Sequence, residues 1–249
     1  MVLLKSPAEL EKMRRAGAVV AQVLIEIADL VKPGATTADL DVFAQTRTKE
    51  LGAKPAFKGY HGFPATLCVS VNEEVVHGIP SKKRILKDGD IVGIDFGVIL
   101  DGWFGDSART FPVGKVSPEA RKLLEITEKS LHLGIDQARA GNHLFDIGHA
   151  VQNFVESHGY SVVREFVGHG IGKSLHEDPQ VPNFGIRGKG MLLKPGMVLA
   201  IEPMINAGKP EVRVLSDGWT AVTVDQALSA HFEHTVAITE QGPEILTRV

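Results

Sequence analysis

One segment of this chain recurs 107 residues further on. Lys87-Asp88-Gly89-Asp90-Ile91-Val92-Gly93-Ile94-Asp95 aligns with Lys194-Pro195-Gly196-Met197-Val198-Leu199-Ala200-Ile201-Glu202. The same offset carries Gly34 onto Gly141, Asp39 onto Asp146, Leu40 onto Ile147, Gln45 onto Gln152 and Gly52 onto Gly159. Turn-then-strand signals are common enough to coincide by chance. One offset that aligns turn glycines, a helix and a strand together argues instead for two halves, about 1–115 and 116–249, of one repeated topology. A repeat places a site on the shared axis, because clefts between halves are where ligands tend to bind.

Each half reads helix, glycine turn, helix, irregular segment, strands. Helices are expected near 7–31 and 36–51, and again near 118–139 and 144–158. Ser6-Pro7-Ala8-Glu9 carries an N-cap serine, a proline at the first helical position and a capping-box glutamate. Ser117-Pro118 repeats that cap. Met13, Val20, Leu24, Ile27 and Val31 fall on one helical face. Strands with no helix between them pair antiparallel. The expected class is therefore α+β, an antiparallel sheet covered by helices.

The chain has 249 residues, 43% of them hydrophobic, and 27 basic against 30 acidic residues, a net charge of −3. That balance gives no general reason to bind nucleic acid or an anionic membrane. The composition excludes disordered, collagen-like and disulfide-scaffold classes. A single cysteine, Cys68, cannot close an internal disulfide, and a reducing cytoplasmic compartment is expected. No apolar run approaches the roughly 20 residues of a spanning helix. Lys12, Arg14 and Arg15 before Ala16–Ile25 mimic an export signal. However, Glu9 and Glu11 sit in its basic region, Glu26 and Asp29 end the run, and no cleavage site follows.

Asp101-Gly102 is a two-residue hairpin signal between the strand patterns Ile91–Leu100 and Trp103–Phe111. It pairs Leu100 with Trp103 and so sets Asp106 opposite Gly97, whose lack of a side chain leaves room there. Asp95 then lies on the same face as Asp106, about 7–8 Å away on the diagonal. Taken alone, both aspartates are expected to face solvent, as Asp mostly does. Asp95, however, stands in an apolar strand, where a carboxylate needs a partner or a metal. Glu202 takes the repeat position of Asp95. Glu233 lies in the alternating segment Ala230–Thr239, read as one strand with His231, Glu233 and Thr235 on a common face. His169 sits in Gly168-His169-Gly170-Ile171-Gly172, where glycines allow close backbone approach. Four carboxylates and one imidazole suit hard or borderline cations such as Mn, Fe or Co, with Zn also compatible. Their mutual repulsion itself argues for two ions.

Five motifs in order carry a resemblance: His77-Gly78-Ile79-Pro80, Asp95 and Asp106 around Asp-Gly, the His169 glycine segment, Ile201-Glu202-Pro203, and Phe232-Glu233-His234-Thr235. Together they resemble the short type 1 class of the methionine aminopeptidase family, over essentially the whole chain. The 31-residue spacing from Glu202 to Glu233 leaves no room for the type 2 insertion. No N-terminal zinc-finger module is expected. The resemblance implies a pita-bread fold in one catalytic domain, 1–249, and removal of the initiator methionine when the next residue is small. It implies two divalent ions (Co, Mn, Fe or Zn): Asp106 and Glu233 bridging, Asp95 completing one side, His169 and Glu202 the other. Glu202 would also shuttle protons, His77 contact the scissile amide nitrogen and His176 stabilise the carbonyl oxygen. Tyr60, His61, Phe63, Cys68 and Trp219 would line the methionine pocket. Asn72 and Ser229 resemble residues around a monovalent-cation site. The implied partner is the N-terminus of a nascent polypeptide near the ribosome, and a cytoplasmic monomer is expected. Phe57, Phe63, Leu175, Gly93 and Gly97 depart from the forms common in the family, which bears on pocket size and on hydrogen bonding behind the ligands. The alternatives are an X-Pro peptidase of the same fold and a peptide-binding homologue without catalysis.

Overall fold

The computed structural model describes residues 2–248. The described residues form four α-helices, of which the first and third start at the expected caps. Helix α1 spans Pro7–Ile27, with a full capping box between Ser6 and Glu9. Helix α2 spans Thr37–Glu50, with the same box between Thr36 and Asp39. Helix α3 runs Pro118–Gln137 from the Ser117 cap, and α4 runs Leu144–Ser157, where the Asp146 carboxylate accepts from the His143 N–H. The first helix ends at Ile27, short of the expected 31, and closes in a 3₁₀ turn over Ala28–Leu30. Pro33 keeps Lys32 out of helical conformation, so no helix could continue past that point. Met13, Val20, Leu24 and Ile27 are buried as expected, whereas Val31 lies past the helix and is only half-buried.

The 107-residue offset reappears in local geometry. Helix α2 shifted by 107 is α4, end for end. Gly34 and Gly141 have φ of 93° and 91°, Gly52 and Gly159 75° and 81°, Gly89 and Gly196 94° and 88°. Isolated bridges join Thr36 to Ile85 and, 107 residues later, His143 to Leu192. The Gly34 N–H donates to Leu86, as Gly141 does to Leu193. These positive-φ turns are conformations that glycine adopts without penalty. Between the first helices the offset is 111, from Ser6 to Ser117, so the second half lacks about one helical turn before its glycine turn.

All strand pairings are antiparallel. In the first half the Ile91–Leu100 strand pairs with Trp103–Pro112, Leu67–Val71 and Lys54–Pro55. In the second half Val198–Ile201 sits between His234–Thr239 and Gly168–Gly170, with Gly242–Ile245 and Glu177–Val181 outside them. Helix α1 buries Val20, Val23, Leu24 and Ile27 with Val92, Ile94 and Phe96 of the first sheet. Helices α3 and α4 bury Leu123, Leu131, Ile147 and Val151 with Leu199, Ile201 and Val236 of the second. Each such aliphatic side chain contributes about 1.5–3 kcal/mol on burial.

The halves meet along one seam. Thr235 Oγ1 accepts from the Asp106 N–H at 3.2 Å and donates to the Asp106 carbonyl at 2.7 Å. The Glu233 N–H donates to the Ala108 carbonyl at 2.8 Å, and Ser107 Oγ donates to the Glu233 carbonyl at 2.5 Å. Thr110 Oγ1 donates to the His231 carbonyl and accepts from its N–H. The hairpin strand that carries Asp106 is thus bonded directly to the segment that carries Glu233. The segment expected as a single strand, Ala230–Thr239, is broken: strands run Ser229–His231 and His234–Thr239. At Phe232–Glu233 the chain leaves one sheet for another and turns its hydrogen bonds to Pro203 and Ala108.

Candidate metal centre

The Asp-Gly turn produces the expected register, with Leu100 opposite Trp103, Gly97 opposite Asp106 and Asp95 opposite Ala108. On its other side Asp95 pairs with Cys68. The room expected over Gly97 is taken. A Cβ built there would lie 2.7 Å from Phe57 Cε1 and 3.2 Å from Ala56 Cβ. Gly97 and Phe57, two departures noted separately in the sequence, are one packing unit.

His169 is held by its glycines. A Cβ on Gly168 would run into the Ala200 carbonyl, and one on Gly170 into the Asp178 carbonyl. Its Nδ1 contacts the Gly170 carbonyl at 2.9 Å. A proton on Nδ1 leaves the Nε2 lone pair free, the arrangement typical of ligating imidazoles. Nε2 lies 3.6 Å from Glu202 Oε1 and 3.9 Å from Asp106 Oδ2. Ligand atoms of Asp106, His169 and Glu233 fall within 4.8 Å of one another, and so do those of Glu202, His231 and Glu233. Glu233 belongs to both groups.

Six buried side-chain polar atoms lack a hydrogen-bond partner among the described residues. Four of them, Asp95 Oδ1, Asp106 Oδ1, Glu233 Oε1 and His231 Nε2, belong to this cluster. Orphaned buried acceptors cost about 1–3 kcal/mol each, more if charged, unless something binds them. Cations at this spot would satisfy the three carboxylate oxygens, so the donor set fits a metal centre. Electrostatics agree. Burial drives the carboxyls of Asp106 and Glu233 well above the ordinary range, aided by the neighbouring carboxylates. Burial likewise raises Asp95 to about 7 and Glu202 to about 8. Burial lowers His169 to about 3 and His77 to about 4. Without cations the site favours protonated acids and neutral imidazoles; cations reverse the first and need the second.

The cluster lies in a cavity of about 700 Å³. Its lining includes every residue expected at the site: Tyr60, Phe63, Cys68, His77, Asp95, Asp106, His169, His176, Glu202, Trp219 and Glu233. A second cavity of about 730 Å³, around Arg14, His132 and Glu244, contains none of them. His176 projects beside His169, ring centroids 4.2 Å apart, and its Nδ1 is 2.8 Å from the Tyr60 hydroxyl. His77 takes a left-handed backbone, φ 60°, and sets its ring edge-on to Phe166 and Trp219. A non-glycine residue there is strained and is held by its surroundings. Phe63 meets Trp219 edge-to-face at 5.1 Å, giving the cavity an aromatic wall.

The profile of metallopeptidase family M24 matches residues 11–240. Methionine aminopeptidase 1 of Bacillus subtilis is 56% identical over 249 residues, 100% of both chains. The chain belongs to metallopeptidase family M24. Within that family the crystal structure of methionine aminopeptidase from Thermotoga maritima superposes with a TM-score of 0.99 at 48% identity, covering all of both chains. Prolidase from Pyrococcus furiosus, at 22% identity and TM-score 0.80 over 65% of its length, shares the fold alone. The fold is the pita-bread fold, and M24 membership brings a divalent-metal cofactor.

Three features of this M24 site were not foreseen in the sequence. His231, placed by the sequence only on the face of Glu233, is buried with Nε2 3.5 Å from Glu202 Oε2. Its place two residues before Glu233 in an alternating pattern was the available signal. The Tyr60–His176 contact joins residues 116 apart and left no local trace. Lys5 reaches Glu177, next to His176, in a 2.6 Å ion pair with side chains 5% and 11% exposed.

Proposed function

We propose that this chain is a metal-dependent methionyl aminopeptidase, one catalytic domain that hydrolyses the N-terminal methionine from nascent polypeptides when the next residue is small. The observation that carries this reading is a buried cluster of unpartnered carboxylates beside an aromatic-walled cavity. Asp95, Asp106, His169, Glu202 and Glu233 would hold two divalent ions. Mn, Fe, Co and Zn all suit an oxygen-rich set with imidazole. The chemistry such ions supply is a water acidified to act near neutral pH and a polarised scissile carbonyl.

The chain's own residues do the rest. Phe63, Trp219, Tyr60 and Cys68 receive the methionine side chain, whose thioether packs well on aromatic edges. Glu202 would take a proton from the attacking water and return it to the leaving amine. His77, its backbone fixed in a left-handed turn, meets the scissile amide nitrogen. His176 is kept neutral by partial burial. A hydroxyl proton from Tyr60 to Nδ1 leaves the His176 Nε2–H to donate to the carbonyl oxygen as charge develops. Asn72, with φ of 60°, accepts from the Ser229 N–H through its carbonyl. A monovalent cation bound there would brace the seam from outside the catalytic cluster. Activity near the ribosome as a cytoplasmic monomer completes the reading.

The test is hydrolysis of Met-Ala-Ser by metal-stripped protein after adding Mn or Co, beside an X-Pro peptide. Release of methionine supports the proposal. X-Pro cleavage alone would point to a prolidase-type activity, and no cleavage of either to a binding homologue.

A further inference from the structure

A sixth polar side chain, His231, approaches two of the five expected ligands, Glu202 and Glu233. His231 ends the Ser229–His231 strand, opposite Met204. Thr110 clamps its backbone, accepting from its N–H at 2.9 Å and donating to its carbonyl at 2.8 Å. Thr110 belongs to the strand that carries Asp106, so His231 is indexed to that carboxylate. The ring is 3% exposed, and its Nε2 has no hydrogen-bond partner. An isolated buried ring nitrogen is costly, and its neighbours here are carboxylates.

Nε2 lies 3.5 Å from Glu202 Oε2, too long for a good hydrogen bond. It shares a 4.8 Å group with ligand atoms of Glu202 and Glu233. Ligands about 2.1 Å from one divalent ion lie at most about 4.2 Å apart, so shifts of under an ångström bring these three around one ion.

We propose that His231 is itself a metal ligand, binding through Nε2 the ion that Glu202 and Glu233 share. The inference rests on the metal centre of the proposed function and adds a second imidazole to it. Two nitrogens move the centre toward borderline cations such as Fe, Co and Zn and away from Mg or Ca.

X-ray absorption on the Co-loaded protein counts imidazoles directly, through their outer-shell scattering. With two ions bound, the expected count is two imidazoles per protein, and His231→Gln reduces it to one. Calorimetric titration of metal-stripped His231→Gln with Co should show one ion weakened by about tenfold or more, at least what loss of a residue behind the ligands costs. One imidazole in the unsubstituted protein would overturn the proposal. Weakened affinity with an unchanged imidazole count would also overturn it, since His231 would then act only through Glu202. If the unsubstituted protein binds no Co at all, the metal centre fails and His231's role with it, and the calorimetry separates that result from the others.

Discussion

Gly97→Ala is the sharpest probe of how the hairpin shapes the cavity. The added Cβ would sit 2.7 Å from Phe57 Cε1 and 3.3 Å from Cζ. Carbon atoms in contact prefer about 3.5–4.0 Å, so the ring must retreat by about 1 Å. Ala56 cannot give way, because its N–H donates to the Gly97 carbonyl at 2.9 Å and ties it to the strand. The side chain of Phe57 is the movable part, and its open side is the cavity it lines. Overpacking of this kind costs about 1–3 kcal/mol. The expected outcome in denaturant unfolding is a loss of that size, with metal content unchanged. In kinetics on Met-Ala-Ser, KM should rise more than kcat falls. Phe57→Leu makes room, so the double substitution should cost less than the sum of the two by at least about 0.5 kcal/mol. Unchanged stability in Gly97→Ala, or strict additivity with Phe57→Leu, would refute the reasoning.

The metal-free protein should lose stability between about pH 6.5 and 8. Asp95 and Glu202 are raised to about 7 and 8, so their contribution is full below the unfolded value and lost as pH climbs through the folded one. The lowered imidazoles of His77 and His169 act oppositely but are fully relieved above their ordinary 6.5, and saturating Mn should flatten the decline followed by thermal melting. Lys5→Met leaves Glu177 Oε2 without its ion-pair partner while Oε1 keeps the Lys173 and Ser174 N–H groups, and should cost about 1–3 kcal/mol in urea unfolding, whereas a loss under about 0.5 kcal/mol would show the pair to be solvated. His77→Ala should lower turnover by about 10- to 100-fold while metal content by elemental analysis stays level, since one misplaced contact costs on that order; metal loss would contradict the assigned role.

The parts legible in the sequence were those written in local chemistry. Asp101-Gly102 determined the register of a hairpin of two ten-residue strands and with it the facing of Asp95 and Asp106. Ser6 and Ser117 marked helix starts through capping bonds within three residues. The glycine turns betrayed the repeat because a positive φ restricts what residue can stand there. What escaped depends on contacts between distant segments. Phe57 over Gly97, Lys5 on Glu177 and Tyr60 on His176 are packing outcomes with no periodicity to announce them. The break at Phe232–Glu233 escaped because alternation persists while the strand changes sheets. His231 escaped because a histidine on an alternating face reads equally as support behind the ligands or as surface until burial decides.

The account stands on two groups of ligands that share Glu233. Elemental analysis of protein equilibrated with Mn and then freed of unbound ion measures that directly. The prediction is about two ions per chain in the unsubstituted protein, falling sharply in Glu233→Ala, because the substitution takes a ligand from both groups. Mn retained undiminished in Glu233→Ala, or none bound to the unsubstituted chain, would contradict it.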